Sequence, residues 1–126
     1  MAAKKQLHTV FSVLPGGGSS TFVIDLRFVV PVALQLPDGW TTSHLTFQVG
    51  FDVGALSDFG WLAAGSGRII SIFPALAGYR YLVSHSWFDC IDALIIRSGH
   101  PEIGFVTQPD QRLIRLLCID RFAPET

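Results

Sequence analysis

The chain contains no asparagine, and among its 126 residues only Lys4 and Lys5 are lysines. Without Asn there is no acceptor for an N-linked glycan. With so little Lys, Arg carries nearly all the positive charge, and charged residues reach only 15% of the chain, well below the usual quarter or so. A net charge of −1 gives no electrostatic reason to expect nucleic acid or an anionic membrane surface as partner. The only cysteines, Cys90 and Cys118, lie in apolar FDCIDAL and RLLCID. That setting suits buried free thiols rather than a disulfide, and the spacing fits no common zinc motif. The longest apolar run, Phe28–Leu36, is interrupted by Pro31 and Gln35 and falls far short of a bilayer span. The opening MAAKKQLHTVFSVLPGGG is too short and too broken for the apolar core of a signal peptide, so synthesis in the cytoplasm is expected.

The chain is instead rich in hydrophobic residues, at 49%. A soluble monomer of this size normally covers itself with more charge, scattered Lys included. Arg is the cation that interfaces tolerate, because its planar and weakly hydrated fork pairs well when desolvated. Together these features predict that part of the surface is buried against other chains.

Alternation is the dominant pattern. After the LPDGW turn at Leu36–Trp40, residues Leu45, Phe47, Val49 and Phe51 share one face and Thr46, Gln48 and Gly50 the other, as a half-buried strand requires. The same reading predicts strands at Leu7–Val13, Phe22–Arg27, Val29–Leu36, His44–Phe51, Arg68–Phe73, Tyr79–Trp87, Ala93–Arg97 and Leu113–Ile119. In the first, Leu7, Thr9, Phe11 and Val13 fall on one side. Pro31 argues for an edge position or a bend. About eight strands with turns at sandwich spacing predict an all-β fold, an antiparallel two-sheet sandwich of jelly-roll type. Residues 1–20 read as an N-terminal arm and first strand with a Gly-rich loop, and 21–126 as the sandwich body of a single domain. Short helices at Trp87–Ile96 or Phe73–Gly78 are the only departures considered.

No reactive constellation emerges. Ser84, Ser86, His85 and Asp89 suggest a triad, yet strand neighbours point to opposite faces, and no GxSxG elbow exists. His8, His44, His85 and His100 have no ligand partner two or four residues away, so no metal or cofactor is expected. PGGGSS lacks the Lys-Ser/Thr of a phosphate loop, and no carboxylate pair suits glycoside hydrolysis. An enzyme is not expected. Of the aromatics, Trp40 and Trp87 are read as core, whereas Phe51, Phe59 and Trp61, in the glycine-punctuated stretch Phe51–Gly67, are core or partner-facing. His85 and Trp87 would also serve a sugar-stacking platform.

The succession VIDLR, LPDGW, TTSHLTFQVGFD, GRIISIFPALAGYRYL and LIIRSG resembles small β-sandwich virion proteins of tailed bacteriophages. In that family a W-x4-LTFQ-x-S-x-DG pattern precedes a DPALFAGxRYLKIRSG segment and a closing hydrophobic strand. The resemblance runs from about Thr21 to Ile119; VGFDVGAL replaces the family's turn, and YRYLVSHSWFDCIDALIIRSG spaces out one of its strands. It implies a capsid decoration or cement protein, a homotrimer on the capsid exterior bound to the major capsid protein and made in the host cytoplasm. Lys4, Lys5, Phe51, Phe59, Trp61 and Arg68 are the candidate interface residues, with Met1–Gln6 as a reaching arm. A neck, tail or fibre-base protein is the alternative within the virion. The same grammar is similar to discoidin-like carbohydrate-binding sandwiches.

Overall fold

Burial sorts the alternating residues into faces. In the computed structural model, which describes residues 7–51, 56–58, 70–83, 88 and 91–121, Leu45, Phe47 and Val49 all point into the core. Ten strands are present among the described residues: β1 (Leu7–Leu14), β2 (Ile24–Asp25), β3 (Val29–Gln35), β4 (Ser43–Gly50), β5 (Ser57–Asp58), β6 (Ser71–Ala75), β7 (Arg80–Leu82), β8 (Ala93–His100), β9 (Gly104–Phe105) and β10 (Arg112–Asp120). They form two sheets, all pairings antiparallel. The first, four-stranded, runs β1-β10-β3-β7; the second runs β2-β8-β4-β5, with β6 also on β4 and β9 on β8. From β1 to β4 the chain changes sheet at every step, and it crosses again into β7, β8 and β10. That winding is a jelly roll.

The core lies between the sheets. Leu14, Leu34, Ile114, Leu116 and Cys118 come from the first, and Ile24, Leu45, Phe47, Leu94 and Ile96 from the second. Phe88 closes one side, its ring edge-on to Phe47 at 5.8 Å. Trp40 is buried beneath the turn that precedes β4, as expected for a core residue. Two polar side chains hold the connections. Gln108, fully buried, accepts from the Thr41 N–H at 2.8 Å and donates to the Thr41 carbonyl and to Ser98 Oγ, both at 3.0 Å. Arg121, just past β10, donates to the carbonyls of Leu26, Phe88 and Ile91 at 2.9–3.0 Å. Both replace the water that buried loop carbonyls and amides would otherwise require.

Four expected strands differ by two residues or more at one end, and of these Ala93–Arg97 runs on to His100. Phe22–Arg27 contracts to Ile24–Asp25, because the Asp25 carboxylate turns back to accept from the Arg27 backbone N–H at 2.9 Å and from its guanidinium at 2.8–3.1 Å. This local closure competes with the ladder. Arg68–Phe73 is observed as Ser71–Ala75, with residues 68 and 69 outside the described set, and no helix forms at 73–78. Tyr79–Trp87 is seen as Arg80–Leu82; Ser84–Trp87, Asp89 and Cys90 lie outside the described residues. Pro31 is not on an edge. β3 is flanked by β10 and β7, and its register shifts where Leu117 and Cys118 face Ala33 and Pro31. The bulge absorbs the missing proline N–H, which is the bend that the sequence offered as the other choice.

Gly99 ends β8 in a conformation only glycine enters easily, φ +117°, and a Cβ there would lie 2.4 Å from the Phe105 Cα. Gly17 has a similar positive φ of +79° but open space around it. Gly17→Ala is expected to cost about 1 kcal/mol from backbone strain alone, and Gly99→Ala about 3 kcal/mol or more, because β9 must also move. Urea unfolding of the two variants beside the parent chain measures the difference.

Candidate functional site

The outward side of the first sheet is the unusual surface of this molecule. In β1, Ser12 and Leu14 are buried, and Val10 packs on the core. Leu7, Thr9, Phe11 and Val13 therefore point away from it, as strand alternation demands. Register carries this parity across the sheet. Phe11 pairs with Arg115, Val13 with Leu113 and Thr9 with Leu117; Arg115 and Leu117 pair with Gln35 and Ala33; these face Arg80 and Leu82. Leu82 is 89% exposed, Leu7 64%, Phe11 60% and Leu113 47%. Antiparallel sheets normally turn polar side chains to water. Here the water-facing side is largely aliphatic and aromatic, with Arg80 and Arg115 standing in it.

The second sheet has the opposite arrangement. Its side away from the core carries Thr46 and Arg97, and both are nearly inaccessible. Thr46 Oγ1 donates to the Gly99 carbonyl at 2.7 Å, and the Arg97 guanidinium lies 5.4 Å from the centroid of the Phe105 ring. A polar face is covered while an apolar one is bare.

A groove of about 110 Å³ runs along the bare face, lined by Ala33, Leu34, Gln35, Arg80, Arg115 and Leu117. It holds one large side chain, well below the several hundred Å³ that enclose a metabolite. Beside it, a wider and shallower hollow sets Phe11 and Leu113 near Asp38 and Arg115. The face offers apolar area, two guanidinium forks and a rim carboxylate. Apolar area with guanidinium forks is the composition of a contact surface.

Of the residues that suggested chemistry, Ser84, His85, Ser86, Asp89 and Cys90 lie outside the described residues. Cys118 points inward, and burial pushes its thiol up to about 11, so it stays protonated and unreactive near neutrality. His44 and His100, read from the sequence as isolated, come together with ring centroids 5.4 Å apart, and His44 stacks on Phe73 at 4.0 Å. No third His, Cys, Asp or Glu joins them to make a metal-binding group among the described residues. Of the candidate interface residues, Phe51 is 75% exposed directly after β4. Lys4, Lys5, Phe59, Trp61 and Arg68 lie outside the described residues.

Leu7, Phe11, Leu82, Leu113, Arg80 and Arg115 were not singled out by sequence reasoning. A signal existed in the middle of RLIRLLCID, where Arg115 shares parity with Leu113 and Leu117, although Arg112 and Asp120 at the ends share the other parity. No family model matches the chain, and no curated protein or solved structure is similar to it. The fold and the face are accordingly argued from strand order, register and exposure.

Leu82→Ser is expected to change unfolding free energy by less than about 0.5 kcal/mol, since the side chain packs against almost nothing. Leu34→Ser, one position over in the paired strand but facing the core, is expected to cost about 3 kcal/mol or more. Denaturant titration of both variants tests the assignment of faces.

Proposed function

We propose that the protein is a structural subunit of a larger shell, a virion component of the capsid decoration or cement type. The observation that carries this reading is the bare apolar side of the first sheet, where Leu7, Phe11, Leu82 and Leu113 are left in water around Arg80 and Arg115. Contiguous apolar surface of this kind marks a contact site. Interface cores are also where Arg is enriched and Lys depleted, which agrees with a chain holding two lysines. The resemblance of its LPDGW, LTFQ and RYL segments to tailed-phage sandwich proteins points the same way. So does the jelly roll, a fold that viral capsid domains share with lectins and cupins, though this is an association of fold alone.

In this reading the free particle is a homotrimer and the partner is the major capsid protein on the outer surface of the head. The apolar face buries against the capsid subunits, while Arg80 and Arg115 donate paired hydrogen bonds to carboxylates or carbonyls there. Each contact is modest, and many copies on a repeating lattice multiply it. A position at the neck, tail or fibre base would use the same face at a different symmetry axis. A glycan-binding module is the second reading, favoured by one observation. Phe28 and Phe51 are 68% and 75% exposed, and the loops bearing them converge on Asp92, whose N–H donates to the Gly50 carbonyl and whose carbonyl accepts from Leu26. Paired exposed rings suit sugar stacking.

Purified protein is expected to sediment as a trimer and to saturate mature capsids at a fixed ratio in the hundreds per particle. Leu82→Asp and Arg115→Glu are expected to abolish that binding without unfolding the chain. A monomer that ignores capsids but captures oligosaccharides, losing them on Phe28→Ala or Phe51→Ala, would replace this reading by the second. Tens of copies per particle would move the protein to the neck or tail.

A further inference from the structure

β1 forms an edge of the first sheet and lacks the usual guards of an edge. It is eight residues long, LHTVFSVL, with no Pro, Gly, Lys, Arg, Asp or Glu. Soluble proteins blunt such edges with charge, proline or brevity. The opposite edge of the same sheet follows that rule: β7 is three residues long and includes Arg80.

The hydrogen-bonding direction of each β1 residue is fixed by one bond. The Val13 carbonyl accepts from the Phe22 N–H at 3.2 Å, so Val13 directs its backbone away from β10. In an antiparallel ladder alternate residues direct both their N–H and C=O to the same neighbour. The β1–β10 register has no shift, so Leu7, Thr9 and Phe11 direct theirs away from β10 as well. Among the described residues nothing pairs with that edge before Val13. The free stretch is centred on Thr9 and contains no Asp, Glu, Lys or Arg.

We infer that two copies of this chain pair through β1 across a two-fold axis normal to the sheet at Thr9, joining two four-stranded sheets into one of eight strands. Thr9 meets the second copy's Thr9, and Leu7 meets the second copy's Phe11, twice over. About six backbone hydrogen bonds form. The aromatic–aliphatic and Thr–Thr pairs are of the kind that stabilise neighbouring strands, and no like charges are brought together. Pairing ends where Phe22 occupies Val13, which fixes the register against slippage. Leu7, Thr9 and Phe11 at the seam belong to the bare face, so it becomes continuous across both copies. Five residues a side bury less than the roughly 1,200 Å² of a stable dimer, so the contact is weak in solution and strengthened where neighbours are held side by side. This inference goes beyond the shell-coating reading, because it links whatever particle the free protein forms, trimer or monomer, to a second one.

The test is sedimentation equilibrium with Thr9→Lys and Thr9→Asp, separately and mixed, at concentrations up to about 1 mM. Thr9 is exposed, and circular dichroism melts confirm that each variant folds. The parent chain is expected to double its particle mass with concentration. Each variant alone, with like charges opposed at the axis, is expected to weaken doubling by about tenfold or more, and the equimolar mixture to restore it. In parallel, amides of Leu7, Thr9 and Phe11, and not those of His8 and Val10, gain exchange protection with concentration. A parent chain that never doubles, or doubling that ignores both variants, overturns the pairing and leaves capsid binding to be judged separately. A monomeric base particle that doubles through Thr9 upholds the pairing while removing the trimer.

Discussion

In the middle of β10 the charge of Arg115 sets which side of the first sheet faces water, while Arg112 and Asp120, of the opposite parity, lie at the strand ends and reach Gly39 and His8. β10 reads RLIRLLCID, apolar on both parities in its middle. Leu113, Leu117 and Ile119 on one side would fill a core about as well as Ile114, Leu116 and Cys118 on the other. Hydrophobic pattern alone therefore leaves the strand free to turn over, and a one-residue slip exchanges the faces completely. Inverting it would bury the Arg115 guanidinium among Leu34, Phe47 and Ile96 with no acid to meet it, at a cost of several kcal/mol. Through the ladder this single preference orients β1 and β3, and through β3 it orients β7. The exposure of Leu7, Phe11 and Leu82 follows from it.

Other bonds lock the same choice at the ends of the strands. His8 Nε2 lies 2.5 Å from Asp120 Oδ1, tying the start of β1 to the end of β10. At the opposite end Arg112 Nη2 donates to the Gly39 carbonyl at 2.6 Å, and its Nε approaches Gln108 Oε1 at 3.4 Å. Gln108 in turn holds Thr41 and Ser98, so the turn before β4 and the end of β8 share one buried network with the first sheet. Such a network has one satisfied arrangement. It specifies the relation between sheets that two apolar layers would leave loose.

What the sequence disclosed was local. Leu45, Phe47 and Val49 announce their face because Thr46 and Gln48 alternate with them, and Trp40 after a Pro-Asp-Gly turn is core for the same reason. The all-β class and the two-layer body follow from repeated runs of this kind. The direction of β1 was not legible, since Leu7, Phe11 and Val13 are as apolar as Val10 and Leu14, and only pairing to Arg115 distinguishes them. The bulge at Pro31 depends on an unbroken β10 alongside it. The meeting of His44 with His100 depends on β4 and β8 being neighbours, a fact of topology 56 positions apart in the chain. The bare apolar face escaped attention because it is assembled from four strands, none of which is unusual alone.

The two outer sides differ in a way that bears on assembly. A sandwich that needed only to remain dissolved would leave Thr46 and Arg97 in water and place Leu82 and Phe11 inside. This one covers Arg97 with Phe105, a ring half exposed itself, and keeps the aliphatic side chains outside. Moving a large aliphatic side chain from water to a protein contact is worth about 1.5–3 kcal/mol, so a chain that forgoes this on folding retains it for association. The retained free energy lies on the outward side of one sheet, spread over β1, β10, β3 and β7. Apolarity and Arg in place of Lys suit this face to contact over area.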